Sequence, residues 1–290
     1  MNEFSADWLA LREPADVAAR SVPLTRAIAG PLARAEEVHV LDLAAGTGSN
    51  VRYLAAHLSV RQRWLLVDNN SALLAQVPVR MSSWGIAHGY EPINVSGGLV
   101  LRGDRRTCRL ATRLLDLTAL DDDGIFAGRV LVTASALLDL VSETWLRALA
   151  ARCRGNGAAV LFALTYDGAI RCAPEEPEDE MVRELVNLHQ RTDKGFGAAL
   201  GPDAAGLTER CFAGLGYCVR RERSDWELPP DAIAMQRHLI EGWAQAAAAT
   251  APALGALIRG WRDRRLTHLE NHRSRLTVGH QDLAAWPTGI

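Results

Sequence analysis

Val38-His39-Val40-Leu41-Asp42-Leu43 carries apolar residues on both faces and runs into Ala44-Ala45-Gly46-Thr47-Gly48-Ser49-Asn50. That is the pattern of a buried parallel strand entering a glycine turn. Val51, Leu54, Ala55 and Leu58 then recur at i, i+3, i+4 and i+7, which is helical spacing. Trp64-Leu65-Leu66-Val67-Asp68 reads as a second strand ending in a carboxylate, and Ser71 is placed to cap the helix after it. A strand, a glycine turn, a helix and a strand with a terminal acid open a doubly wound α/β sheet.

The alternation continues downstream. Residues 110–117 predict a strand ending at Asp116, residues 129–135 another, residues 142–154 a helix and residues 157–165 a fifth strand. Turn signals within 97–109 predict a hairpin before the third strand. Helices are expected over 181–190 and 202–215, the latter closed by Gly216, followed by a strand over 217–228. Two helices, 231–250 and 253–272, flank Pro252, and 275–278 is the last short strand. Ahead of the sheet, residues 8–35 read as helix broken by Pro14, Pro23 and Pro31. The expected organisation is a helical cap over 1–35, a core over 36–230, a helical insertion or lid over 231–273, and a last strand and tail over 274–290.

Composition narrows the function without naming it. Against 34 acidic residues stand 32 basic ones, for a formal charge of −2, which argues against a protein built to grip a nucleic-acid backbone or an anionic membrane. Five cysteines, at 108, 153, 172, 211 and 218, form no Cys-x-x-Cys pair, so neither a disulfide framework nor a thiolate zinc site is expected. The N-terminus lacks the basic and apolar regions of a signal peptide, and Asp139 interrupts the most apolar stretch. A cytoplasmic protein is the expectation, as a monomer or homodimer. His268 and His272 lie one turn apart with His280 and Asp282 nearby, but the string is not His-Glu-x-x-His and no metal is expected. All the basic residues but one are arginine; the exception is Lys194, in Arg191-Thr192-Asp193-Lys194-Gly195-Phe196-Gly197.

The glycine turn carries the first chemistry. Gly46 and Gly48 let backbone approach a ligand closely, and the amides opening the next helix offer donors. Asp68, at the carboxyl end of the neighbouring strand, is placed to accept both hydroxyls of a ribose. A dinucleotide site wants a third glycine where this chain has Val51, a branched residue that blocks close helix-to-sheet packing over a pyrophosphate.

Val40-Leu41-Asp42-Leu43-Ala44-Ala45-Gly46-Thr47-Gly48 resembles the first motif of class I S-adenosylmethionine-dependent methyltransferases, with Ala44 where the family usually has its first glycine. Asp68 resembles that family's ribose-binding acid, Leu115-Asp116-Leu117 its adenine-edge motif, and residues 132–140 its fourth-strand segment beside the reacting methyl. The resemblance covers about residues 36–170. It implies a Rossmann-like, seven-stranded, mostly parallel sheet with helices on both faces, an N-terminal helical cover and a helical insertion before the last strand. It also implies S-adenosyl-L-methionine as cofactor: Asp42 orienting the glycine loop, Ala44, Ala45, Gly46 and Gly48 lining the methionine part, and Asp116 and Leu117 at the adenine. Asn50, Asn69, Thr133, Ala134 and Ser135 complete the cofactor site, and Arg20 is a candidate partner for the methionine carboxylate.

The fourth segment has Thr133-Ala134-Ser135-Ala136 in place of the Asp/Asn-Pro-Pro-aromatic string of enzymes that methylate base amines in DNA, and resembles small-molecule methyltransferases. Methyl transfer from a sulfonium needs an aligned nucleophile, exclusion of water and, for some acceptors, a base. Tyr166 and Asp167 leave the fifth strand at the edge where substrates bind in doubly wound sheets. His189, Arg191, Asp193 and Lys194 belong to a second candidate segment, with His189 a possible general base and Lys194 a point charge for a substrate carboxylate or phosphate. Two other readings stay open: an RNA methyltransferase using the arginines of 259–275, and a non-catalytic nucleotide-binding or regulatory module.

Overall fold

The computed structural model describes residues 5–58, 61–104, 106–118, 120 and 122–288. Two helices come first, α1 (Ala6–Ala19) and α2 (Val22–Leu32), each capped by a serine: Ser5 accepts from the Trp8 amide and Ser21 from the Leu24 amide. The expected breaks fall differently. Pro14 and Pro31 lie inside helices, and the chain turns instead at Arg20-Ser21, where the serine cap opens a new helix.

The sheet alternates with helices as the periodicity predicts. It comprises β1 (Val38–Leu43), β2 (Arg61–Asp68), β3 (Glu91–Val95), β4 (Gly98–Arg102), β5 (Thr107–Leu114), β6 (Leu131–Ser135), β7 (Ala159–Ala173), β8 (Tyr217–Arg223), β9 (Trp226–Leu228) and β10 (Arg275–Pro287). Between them run α3 (Ser49–Ala55), α4 (Ser71–Leu74), α5 (Val77–Ala87), α6 (Glu143–Gly155), α7 (Asp179–Gln190), α8 (Ala204–Gly214), α9 (Ile233–Thr250) and α10 (Gly255–Glu270). The order across the sheet is β3-β4-β5-β2-β1-β6-β7-β10-β8, with β9 pairing the other end of β10. Strands β5, β2, β1, β6 and β7 are parallel, and β10 is antiparallel to β7 and β8. This is the Rossmann-like architecture, with ten strands among the described residues rather than seven. Two of the additional strands are the β3–β4 hairpin, laid antiparallel on β5.

The third comes from the 217–228 run, which splits at Ser224-Asp225. There the Ser224 amide donates to the His280 carbonyl, and the His280 amide donates to Asp225. β10 is far longer than the four residues expected. Gly279, His280, Gln281 and Asp282 continue the strand through two irregularities in its pairing with β7. Asp282 is buried and accepts from the Leu164 and Ser21 amides, so a polar residue serves as a core fastener.

Core residues lie on both faces of the sheet. Leu146 and Leu149 of α6 and Phe212 of α8 belong to one cluster, and Val51 and Leu54 of α3 and Met81 of α5 to the other. A third cluster joins the far end of β7 to α7, α9 and α10 around Trp226, Trp243 and Trp261. No helix among the described residues is long and apolar enough to cross a membrane.

The hairpin expected within 97–109 begins earlier, pairing 91–95 with 98–102, and one glycine sets its approach to β5. A Cβ on Gly98 would stand 2.0 Å from the Leu110 carbonyl oxygen, where backbone must yield. Gly98→Ala is expected to lower stability in urea denaturation by about 1–3 kcal/mol, and an unchanged midpoint would refute the close pairing of β4 on β5.

Candidate active site

Strand order reverses between β1 and β6, so the carboxyl ends of these two strands border a crevice. A cavity of about 350 Å³ occupies it, within the range of small-molecule sites. Its floor is the end of β1 and the turn after it, from Asp42 to Asn50; one wall is Asp68, Asn69 and Asn70 after β2, and another is Ser135 to Leu140 after β6. Leu117 closes one side. The roof is Leu9, Arg12 and Asp16 of α1 together with Lys194 and Phe196.

The turn is built from backbone in the left-handed region. Gly46 has φ 53° and Gly48 φ 82°, and Ala44, at the family's glycine position, has φ 50° despite its Cβ. Ala136, on the opposite wall, has φ 53°. Strained non-glycine residues facing one cavity from two strand ends mark a place where shape outweighs backbone comfort. A Cβ at Gly46 would meet Leu9 at 3.0 Å, so the glycine also admits the roof. Asp68 holds the turn from the side: one carboxylate oxygen accepts from the Gly46 amide at 2.8 Å and the other from the Asn70 amide at 2.9 Å.

Behind the floor sits a buried polar network centred on Asn50. Its amide donates to Asp42 at 2.7 Å and to the Thr133 hydroxyl at 3.0 Å, and its oxygen accepts from Arg20 at 2.7 Å. Thr133 in turn donates to the Leu161 carbonyl. Burial pushes the Asp42 carboxyl up to about 7, against the downward pull of Asn50 and Arg20. Its second oxygen, the Thr47 hydroxyl and one terminal nitrogen of Arg20 are buried without hydrogen-bond partners. Arg20 lies over the Tyr53 ring, close to Asp282, and lines a small adjoining cavity with Ser49, Asn50 and Ser135.

Of the expected cofactor residues, Asp42, Ala44, Ala45, Gly46, Asn50, Asp68, Asn69, Leu117 and Ser135 line the main cavity. Gly48, Asp116, Thr133, Ala134 and Arg20 do not. Gly48 opens α3, Ala134 lies in the core, and Asp116 is exposed, accepting from the Thr118 amide as a strand-end carboxylate capping a turn. Of the acceptor-side residues only Lys194 reaches the cavity. Tyr166 is buried and donates to Asn187 at 2.8 Å, tying β7 to α7, and burial raises its phenol. Asp167 caps a turn at the Ala169 amide, and Arg191 pairs with Asp203. Asp193 accepts from the Gly195 and Gly197 amides and so shapes the loop. His189 is half-buried, its imidazole held below its usual range by burial and by Lys194; its carbonyl accepts from the Lys194 ammonium at 3.0 Å.

Sequence reasoning missed Leu9, Asp16 and Phe196. Asp16 had only a weak signal, its i,i+4 spacing from Arg12, since many surface pairs share it. The insertion does not line the cavity. It supports the roof from behind: Trp8 of α1 stacks on His238 of α9 at 4.1 Å. The arginines of 259–275 also change meaning. Arg265 is buried against Asp179, and Arg264 pairs with Glu176 and Glu178, so acids distant in sequence neutralise these two. His268 meets Glu176 at 2.7 Å, and Asp282 is engaged with backbone amides.

No protein-family model matches the sequence, and no curated protein matches it. Similar chains are found among solved structures, at low identity. A SAM-dependent methyltransferase from Geobacter sulfurreducens, in complex with S-adenosylhomocysteine, is 16% identical, with 99% of this chain and 100% of that one covered and a TM-score of 0.45. A SAM-dependent methyltransferase from Thiobacillus denitrificans, in the same complex, is 13% identical over 98% of this chain and 99% of that one, at 0.45. A phosphoethanolamine N-methyltransferase from Haemonchus contortus is 15% identical over 99% of this chain at 0.45, and this chain spans 59% of its length.

The Asn50 network has a pH signature. The native Asp42 carboxyl keeps its proton up to about 7, whereas an unfolded aspartate releases it near 4, so the native state binds more protons in that window and stability falls as pH rises through it. Asp42→Asn keeps an acceptor for Asn50 and removes the titration. Between about pH 5 and about pH 8 the wild type should lose on the order of 1–3 kcal/mol more urea stability than the variant. Parallel pH profiles would show that Asp42 ionises freely in the folded protein.

Proposed function

We propose that the chain is a cytoplasmic S-adenosylmethionine-dependent methyltransferase acting on a small molecule. The observation that carries this reading is the joint placement of Asp68 and the strained 44–46 turn on one cavity at the reversal of strand order. A nucleoside fits that arrangement, because carboxylate oxygens that already accept one amide each keep lone pairs for ribose hydroxyls. The buried polar atoms left unpartnered support the same cofactor. An amino-acid tail carries both charges, and the free nitrogen of Arg20 suits its carboxylate while the second oxygen of Asp42 suits a donor. Leu117 offers an apolar side to the adenine.

When bound, the cofactor supplies an electrophilic methyl on a sulfonium whose thioether leaves neutral, so no acid is required. The protein's own part is positional. The turn and Asp68 orient the nucleoside, Arg20 and Asn50 hold the tail end, and the α1 roof with Phe196 excludes water. Lys194 reaches the acceptor side, with His189 acting through it by holding the ammonium on its carbonyl. Four of the five free cysteines are buried, in keeping with a reducing compartment.

Calorimetric titration tests the reading: S-adenosylmethionine and S-adenosylhomocysteine should bind and NAD should not. Asp68→Ala should weaken either adenosyl ligand by roughly tenfold to a hundredfold, the worth of a charge-assisted hydrogen-bond pair. Tight NAD binding without the adenosyl ligands would overturn the proposal.

A further inference from the structure

The roof of the cavity contains a cation that the cofactor reading leaves unused. Arg12 is 7% exposed and is fixed by two partners: its Nε donates to both oxygens of Asp16, at 3.1 and 2.9 Å, and its guanidinium lies over the Trp226 ring at 4.8 Å. Asp16 is itself held by the Trp226 indole at 3.0 Å. With Nε engaged, the two terminal nitrogens of Arg12 have no hydrogen-bond partner among the described residues, and the side chain lines the cavity. His280, against Trp226, is held neutral by burial and by Arg12 itself, down to about 3, so it brings no competing cation.

Lys194 lines the same cavity. Two of its ammonium protons go to the His189 carbonyl and the Thr192 hydroxyl, leaving the third free, and it has no carboxylate partner among the described residues. The same cavity is also lined by the apolar side chains of Leu9, Leu137, Leu140 and Phe196.

Resting on the methyltransferase reading, we propose that the acceptor is a monocarboxylate on an apolar frame, and that the terminal fork of Arg12 and the ammonium of Lys194 form the seat for its carboxylate. The fork matches a planar carboxylate bidentately, and its orientation is set before the ligand arrives. Charge selects against a phosphate: Asp16 already neutralises Arg12, so Lys194 leaves one positive charge to be met, not two. The apolar side chains take the frame. Arg12 and Lys194 are positioning residues here, directing the nucleophilic atom of the acceptor toward the wall after β6.

Benzoate, its neutral isostere benzamide and phenyl phosphate are the probes, titrated calorimetrically into protein saturated with S-adenosylhomocysteine and into cofactor-free protein. Benzoate should bind about tenfold or more tighter than either of the others. Arg12→Gln and Lys194→Gln should each cut that preference to about threefold or less while leaving S-adenosylhomocysteine affinity within about twofold. Because Arg12→Gln strands Asp16, the double variant Arg12→Gln with Asp16→Asn removes the buried pair together, and it should show the same loss of preference. Equal or undetectable binding of benzoate and benzamide, a preference for phenyl phosphate, or a preference that survives all the variants would overturn the seat. So would a drop of about tenfold in S-adenosylhomocysteine affinity on Arg12→Gln, which would place Arg12 in the cofactor site. A wild type that prefers benzoate but binds no adenosyl ligand keeps the seat and rejects the methyltransferase reading; the reverse pattern rejects the seat alone.

Discussion

The side-chain amide of Asn50 meets Asp42 at the end of β1, Thr133 in β6 and Arg20 at the end of α1, and these contacts cross the reversal of strand order. A crevice between strands that diverge needs something to hold its two sides at a set spacing. Here a buried amide does so: both of its N–H donors are used, and its oxygen accepts from Arg20 with one lone pair to spare. The start of α3, the direction of the glycine turn and the depth at which the first helix sits all follow from it.

Asp282 extends that constraint to the other end of the chain. It accepts from the Ser21 amide on one side and the Leu164 amide on the other, with Arg20 close by, so the last strand, the fifth parallel strand and the junction of the first two helices share one buried carboxylate. The roof over the cavity is thereby anchored twice: through Arg20 to the network, and through Trp8 and Trp226 to the helical insertion and β9. A helix that covers a site while resting on three parts of the fold gives the cavity a shape before any ligand enters.

Much of the frame is legible in the sequence. The apolar runs at 38–43 and 131–135 are buried strands because almost every position in them faces packed side chains, and Asp68 ends its strand beside the turn because strand and turn share one register. The floor of the site follows from the same local rules. The acceptor side did not. Tyr166 and Asp167 look reactive at the end of a strand, yet β7 continues past them and turns the phenol toward Asn187. Lys194 reaches the cavity while its neighbours Arg191 and Asp193 shape the loop that carries it.

The sequence by itself determined the order of strands and helices, the strained turn and the acid across from it, because each depends on residues close together along the chain. Tertiary structure decided what covers them. Arg12, Asp16 and Lys194 lie up to 182 residues apart and line one cavity only because α1 folds back over the sheet and the 193–197 loop returns to the same edge. It also decided that Arg264 and Arg265 of α10 are ion-paired, since their acids come from the segment before α7 and from its first residue, Asp179. Long-range contacts leave no periodicity in the chain, so their chemistry becomes readable only when the sheet has brought the partners together.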